Sequence, residues 1–281
     1  MTGSALEHSL LASRARGRIQ IIPFINVADP SLDSTFGLLE VLAELGVEIV
    51  ELCLPFPRSI SDGPAVRASH QRALVAGPTL SDLCRIVVRA KSELKLRCVV
   101  LADYRHSVRP LGFERFLGEL RDAHACATLI HDLPAALRQQ YLELSERNDL
   151  GRIMTLFCHS VLDTRHAAFM ESRGYAYVVS GFGRTGRELG KSASLLASLR
   201  AIRDETTRPL ALGFGLKSWQ DVAFARDAGA DAAIMGSAIA ALIAEHVDDR
   251  ERMLNAIRAF FATLSRRDEY GGLRVNASRS E

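Results

Sequence analysis

The chain reads as a single (β/α)8 barrel. Three observations predict it: short runs rich in β-branched and apolar residues, gaps between them long enough for a helix, and a length of 281 residues that suits one undivided barrel. Eight such runs occur, at residues 19–25, 48–54, 97–102, 127–132, 152–157, 176–180, 209–214 and 231–236. A doubly wound open sheet accommodates many of the same elements, but the strand count and the lack of an early G-x-G-x-x-G turn place it second.

Helix signals fill several gaps. Asp33-Ser34 precedes a periodic stretch at 35–45 with Gly46 beyond it, and Lys217-Ser218 precedes 220–227 with Gly229 beyond. An amphipathic stretch at 5–16, ahead of the first strand, is expected to cap the closed bottom of the barrel, and 250–264 is expected to form a final helix. Nothing resembles a linker between two halves, so residues 1–281 are expected to form one domain. Residues 271–281 are expected to be a flexible polar tail.

Charge and cysteine usage narrow the function classes. Thirty-five basic and 33 acidic residues are interspersed and leave a net charge of +2, with no basic block to attract a nucleic acid backbone. No apolar run approaches the ~20 residues that span a bilayer, so a soluble protein without membrane attachment is expected. The five cysteines, at 53, 84, 98, 126 and 158, form no C-x-x-C pair, which suits a reducing cytoplasm. The eight histidines show no H-x-x-x-H or mixed cysteine spacing, so no metal site is expected.

In a barrel of this kind the ligand sits at the C-terminal mouth, so the strand ends and the loops after them carry the candidates. Alternation in the second run puts Ile49, Glu51 and Cys53 on one face and Val50, Leu52 and Leu54 on the other. If the second set meets the helices, Glu51 points into the lumen. There, desolvation raises its pKa towards the range of a general acid/base; a structural ion pair is the competing reading. Asp62, before Gly63-Pro64, is expected to stay ionised and act by charge, or else simply to form a turn. Three glycine-bearing segments follow later strands: Gly181-Phe182-Gly183-Arg184-Thr185-Gly186, Gly213-Phe214-Gly215 and Gly236-Ser237. The first suits a lid, and the last two suit a phosphate site made of backbone N–H groups and a helix N-terminus. Asp103 and Asp132, at the ends of the third and fourth runs, either face the mouth or cap loops.

Taken together, 23–30 (Pro-Phe-Ile-Asn-Val-Ala-Asp-Pro), Glu51-Leu52-Cys53-Leu54-Pro55-Phe56, Asp62-Gly63-Pro64, Tyr177, Thr185-Gly186, Gly213-Phe214-Gly215 and Gly236-Ser237 resemble the signature segments of the tryptophan synthase α chain family. The resemblance runs over roughly residues 17–245. It implies retro-aldol cleavage of indole-3-glycerol phosphate to indole and glyceraldehyde 3-phosphate, with no metal and no organic cofactor. It further implies that Glu51 moves the protons and that Asp62 stabilises positive charge on the indole nitrogen. Phe24, Tyr177 and Phe214 would enclose the ring, and Gly186, Gly215, Gly236 and Ser237 would hold the phosphate. Tyr104, Asp132 and Thr185 complete the substrate set.

The chain departs from the family at the rim. Pro57-Arg58-Ser59 stands where the family has Ser-Asp-Pro, reversing a charge where the α chain meets its β partner; Tyr104-Arg105-His106, Asn26 and Arg184 are further departures. The expectation is a stand-alone lyase that releases free indole, with a β chain a doubtful partner. Two alternatives are a weakly active barrel that binds or activates a tryptophan synthase β-like enzyme, and the same chemistry on a substituted indole glycerol phosphate, with Asp103, Arg105 and His106 lining the pocket.

Overall fold

Nine strands make one parallel sheet that curls into a barrel: β1 (Gln20–Asn26), β2 (Ile49–Cys53), β3 (Arg97–Asp103), β4 (Ala127–His131), β5 (Gly151–Arg152), β6 (Met154–Phe157), β7 (Ala176–Val179), β8 (Leu210–Gly213) and β9 (Ala232–Met235). The spatial order is β5-β4-β3-β2-β1-β9-β8-β7-β6, so β1 and β9 close one seam. This is a computed structural model, and it describes residues 2–179, 193–213 and 215–265. The tail expected at 271–281 lies outside them.

The eight expected runs become nine strands because the fifth is interrupted. Arg152 exchanges backbone hydrogen bonds with Arg173 (2.8 and 2.9 Å), a one-residue antiparallel bridge, and pairing then resumes one residue on. The first part, β5, pairs with β4 and the second, β6, with β7. One interrupted stave therefore joins the two ends of the sheet, and the (β/α)8 architecture stands.

Helices occupy the gaps: α1 (Thr2–Ala15), α2 (Leu32–Glu44), α3 (Pro64–Ala76), α4 (Leu80–Leu94), α5 (Phe113–Asp122), α6 (Arg138–Arg147), α7 (Leu162–Glu171), α8 (Ala193–Asp204), α9 (Trp219–Asp227), α10 (Ser237–Glu245) and α11 (Arg250–Ser265). Short polar side chains start α2, α4 and α9 by satisfying free backbone N–H groups. Ser31 caps α2, one turn ahead of the expected Asp33-Ser34 start, while Ser218 and Asp221 form a reciprocal capping box on α9, as Thr79 and Asp82 do on α4.

Alternation along the strands sorts two apolar layers. Ile21, Ile25, Val50, Leu52, Cys98 and Val100 face the helices, whereas Ile22, Ile49, Cys53, Val99, Leu101, Leu129 and Ile234 fill the lumen. The lumen cluster also takes in Leu6 and Leu10 of α1, both fully buried. Polar contacts hold α1 against the N-terminal strand ends. Ser9 Oγ donates to Glu48 (2.8 Å), Gln20 Nε2 donates to Ser9 and Ser13 (3.0 and 2.9 Å), and Glu7 accepts from the Gly174 N–H (3.1 Å). The stretch before the first strand thus closes the bottom of the barrel, leaving the opposite mouth for chemistry. Among the described residues no helix is long and apolar enough to cross a membrane.

Candidate active site

Glu51 lies in the middle of β2 on the lumen face, between Ile49 and Cys53, and is fully buried. Burial disfavours the carboxylate and lifts its pKa from the usual 4.5 to about 7, while a hydrogen bond from the Tyr175 hydroxyl to Oε1 pulls it partway back. No cation pairs with it among the described residues, so the structural ion pair is not what is found. Oε2 has no hydrogen-bond partner among the described residues. A carboxyl poised near neutrality with one free oxygen is equipped to give and take a proton.

Asp62 ends the loop after β2, immediately before Gly63 and Pro64, which start α3. Proline at the first helical position has its φ already set for the helix. Burial by itself would raise the Asp62 pKa. Hydrogen bonds from His70 Nε2 (3.2 Å) and Ser59 Oγ (2.5 Å), together with the nearby His131 and His70 rings, outweigh it and hold the carboxyl below the ordinary aspartate value. The N-terminal end of α3 adds its partial positive charge. His70 is itself aimed: the Phe56 N–H donates to its Nδ1 (3.2 Å), which leaves Nε2 to carry the proton donated to Asp62. A buried network fixes the helix that bears His70. Asn26 Nδ2 donates to Ser69 (2.9 Å), Ser69 donates to Asp29, and Arg72 grips both Asp29 oxygens (2.8 and 2.9 Å).

Asp62 lines a cavity whose apolar wall includes Phe24, Leu101, Tyr177 and Ile234. Tyr177 stands within electrostatic reach of both Glu51 and Asp62, which together with burial push its phenol up well beyond its ordinary value. Backbone space matters at two glycines: a Cβ at Gly213 would collide with the Tyr177 hydroxyl and ring, and one at Gly236 would lie 3.1 Å from Phe24. The cavity also reaches Gly215, Gly236 and Ser237. Ser237 opens α10, and its buried hydroxyl has no partner among the described residues. Backbone N–H groups, a helix N-terminus and a free hydroxyl suit an anion.

The structure therefore brings Phe24, Asp62, Tyr177, Gly215, Gly236 and Ser237 to one cavity, with Glu51 beside it in the lumen. Tyr104 and Asp132 are placed elsewhere. The Tyr104 ring packs on the outer layer, 5.9 Å from Phe113, and Asp132 is exposed with φ 53°. Asp103 is a cap: it accepts from the Arg105 and His106 N–H groups (3.1 and 2.8 Å) and starts a π-helical turn, Tyr104–Val108. Thr185, Gly186 and Phe214, with the lid expected around them, lie outside the described residues. Sequence reasoning misses Tyr175, Ser59, His70 and His131. Tyr175 had a signal, since it sits two residues before Tyr177 on the same face; the two histidines were open to view only as metal ligands. Among the described residues no group of three or more His, Cys, Asp or Glu is placed to hold a metal.

A buried carboxyl poised near neutrality, an ionised one in the adjoining cavity and a helix N-terminus suited to an anion define the class: a barrel equipped as an acid/base enzyme. Comparison with known proteins narrows it. The model of the family described as tryptophan synthase alpha chain matches residues 10–267. The alpha chain of Synechococcus elongatus is 32% identical over 235 residues, covering 84% of this chain and 88% of its own, and that of Geobacter sulfurreducens is 35% identical over 225 residues, covering 80% and 84%. A chain of Mycobacterium tuberculosis tryptophan synthase superposes with a TM-score of 0.80 at 26% identity, over 92% of this chain and 96% of that one. The chain belongs to the tryptophan synthase alpha chain family, and is a carbon–carbon lyase of that kind.

Proposed function

We propose that this chain cleaves indole-3-glycerol phosphate to indole and glyceraldehyde 3-phosphate, and does so without a β chain. The observation that carries the reading is Glu51, a fully buried carboxyl with a pKa of about 7 and a free oxygen, beside a cavity where Asp62 is kept ionised.

Protonated Glu51 delivers its proton to indole C3, which turns the ring into an iminium. Asp62 accepts a hydrogen bond from the ring N–H and stabilises the positive charge there. The carboxylate left on Glu51 then takes the proton of the adjacent glycerol hydroxyl. The C–O bond becomes an aldehyde, the C3–C bond breaks, and its electron pair returns to the ring to neutralise the iminium. Atoms and charge balance, and the acid is regenerated. Phe24 and Tyr177 would flank the ring, while Gly215, Gly236 and Ser237 would hold the phosphate; Gly186, Thr185 and Phe214 are proposed beside them on the strength of the resemblance. Tyr104 and Asp132, which do not line the cavity, are proposed as substrate contacts on the strength of the resemblance alone.

Independence from a β chain is supported by the loop after β2. Arg58 is exposed there with φ 59°, a cation where the resemblance puts an acidic contact. Purified chain incubated with indole-3-glycerol phosphate should release indole at a rate little changed by an added β chain. Glu51→Gln should lower the rate by at least about 10²-fold, the low end for loss of a general acid/base. Strong stimulation by a β chain would refute the independence, and full speed in the Gln variant would refute the chemistry. Negligible turnover with tight capture of a β-like partner would replace both with the role of an activator.

A further inference from the structure

The cavity carries an imidazole that the retro-aldol steps do not use. His131 ends β4 on the face of Ala127 and Leu129, which fill the lumen, and it lines the cavity together with Asp62. Its ring stands 5.8 Å from that of Phe56, whose ring also meets His70 at 4.5 Å. His70 spends one nitrogen on the Phe56 N–H and the other on Asp62. No hydrogen bond joins the His131 ring to any described residue, although its backbone belongs to the β3–β4 ladder.

Burial lowers the His131 pKa below its ordinary value, with His70 acting in the same sense, against the pull of Asp62, Asp132 and Asp103. The ring is accordingly neutral at neutral pH, with one nitrogen donating and the other accepting. Such a group facing an apolar surface pays for its lost hydration unless something polar meets it. An unsubstituted indole has one polar atom in its ring system, the N–H, and Asp62 takes that. His131 lines the cavity on the side of Asp62, because the Phe56 ring stands beside both His131 and the His70 that donates to Asp62; with Asp62 on the ring N–H, His131 faces the edge of the bicycle next to the nitrogen.

We infer that the pocket selects indole glycerol phosphates bearing a hydroxyl or amino group on the six-membered ring beside the nitrogen, with His131 as the hydrogen-bond partner of that group. The inference rests on the proposed retro-aldol reading for the placement of the ring. It names a specificity-determining residue and a substrate class within that reaction.

Equilibrium binding separates the two ideas. The probes are uncleavable analogues with a propyl phosphate chain at C3, carrying no ring substituent, a hydroxyl at C7 beside the nitrogen, or a hydroxyl at C4 on the far side. Wild-type chain should bind the C7-hydroxyl analogue roughly tenfold more tightly than the other two, the fold-change of one added hydrogen bond. His131→Leu, which keeps an apolar side chain in the space, should lose that preference, so that the variant binds the three analogues about equally. His131→Ala provides the same readout should the Leu variant fail to fold. Equal binding of all three analogues by the wild type, or a preference that survives in both variants, overturns the inference. Absence of turnover alongside an intact C7 preference would count against the proposed activity and leave the role of His131 standing.

Discussion

Glu51→Gln should remove a pH-dependent penalty on folding, and the size of that penalty follows from burial. In the unfolded chain the carboxyl titrates near its usual 4.5, whereas in the folded chain it does so at about 7. Below pH 4.5 both states hold the proton and the side chain costs nothing extra. Between the two values the folded state keeps a proton that the unfolded chain has released, so stability falls as pH rises, and above about 7 the loss is complete. At about 1.4 kcal/mol per pH unit, the loss comes to about 3 kcal/mol. Glutamine has no such titration. Its amide brings hydrogen-bonding needs of its own, so the informative quantity is the change with pH in the difference between the two chains. Urea unfolding followed by circular dichroism at pH 4.5 and 8 measures it: the difference should move by about 3 kcal/mol in favour of the Gln chain, or several degrees in Tm at roughly 2–4 °C per kcal/mol. Parallel curves for the two chains would mean that Glu51 is as well solvated folded as unfolded, and the argument for a tuned acid would fail.

Two further substitutions separate the carboxyls. Tyr175→Phe removes the hydrogen bond that pulls the Glu51 pKa down; a bond to a charged group is worth about 1.5–3 kcal/mol, so the high-pH limb of kcat/KM, set by the acid form, should move up by about one to two pH units. An unmoved limb would show that the phenol does not support the carboxylate. His70→Ala takes from Asp62 the larger of its two hydrogen-bonded supports. The Asp62 carboxyl should rise, and the low-pH limb, set by its ionised form, should move to higher pH with the high-pH limb unchanged; movement of both limbs would point to general collapse of the site.

How much of this was legible in the sequence depends on the distance over which each feature is determined. The facing of Glu51 follows from period-two alternation among six adjacent residues, and the structure keeps it: Ile49 and Cys53 fill the lumen while Val50 and Leu52 meet the helices. The closing role of α1 was visible because an amphipathic stretch ahead of the first strand has few places to bury its apolar side. Partners were not visible. Tyr175 lies 124 residues from Glu51, and only the closed barrel brings them together. The break in the fifth strand arises from the backbone of Arg173, which no pattern within 152–157 announces. Tyr104 followed its family position in the sequence, yet Asp103 caps the turn that begins there and the ring turns to Phe113.

Two carboxyls from one strand-loop-helix unit end up with opposite protonation tendencies because the fold gives them different company. Asp62 sits at the start of a helix, where backbone dipoles, a serine hydroxyl and an oriented imidazole converge, so its charge persists despite burial. Glu51 lies deeper, in the middle of a strand, where backbone groups are spent on the sheet and a single phenol reaches it. Depth alone does not keep that position dry, since a barrel is open at two ends. Leu6 and Leu10 fill the lower lumen alongside Ile22, Ile49 and Ile153, and the Gly174 N–H and Gln20 side chain that hold α1 there belong to the strand ends it covers. The low polarity felt by Glu51 is thus a property of the sealed barrel as a whole: a helix that touches no substrate excludes water from beneath the acid, and its packing is part of what places that acid near neutrality.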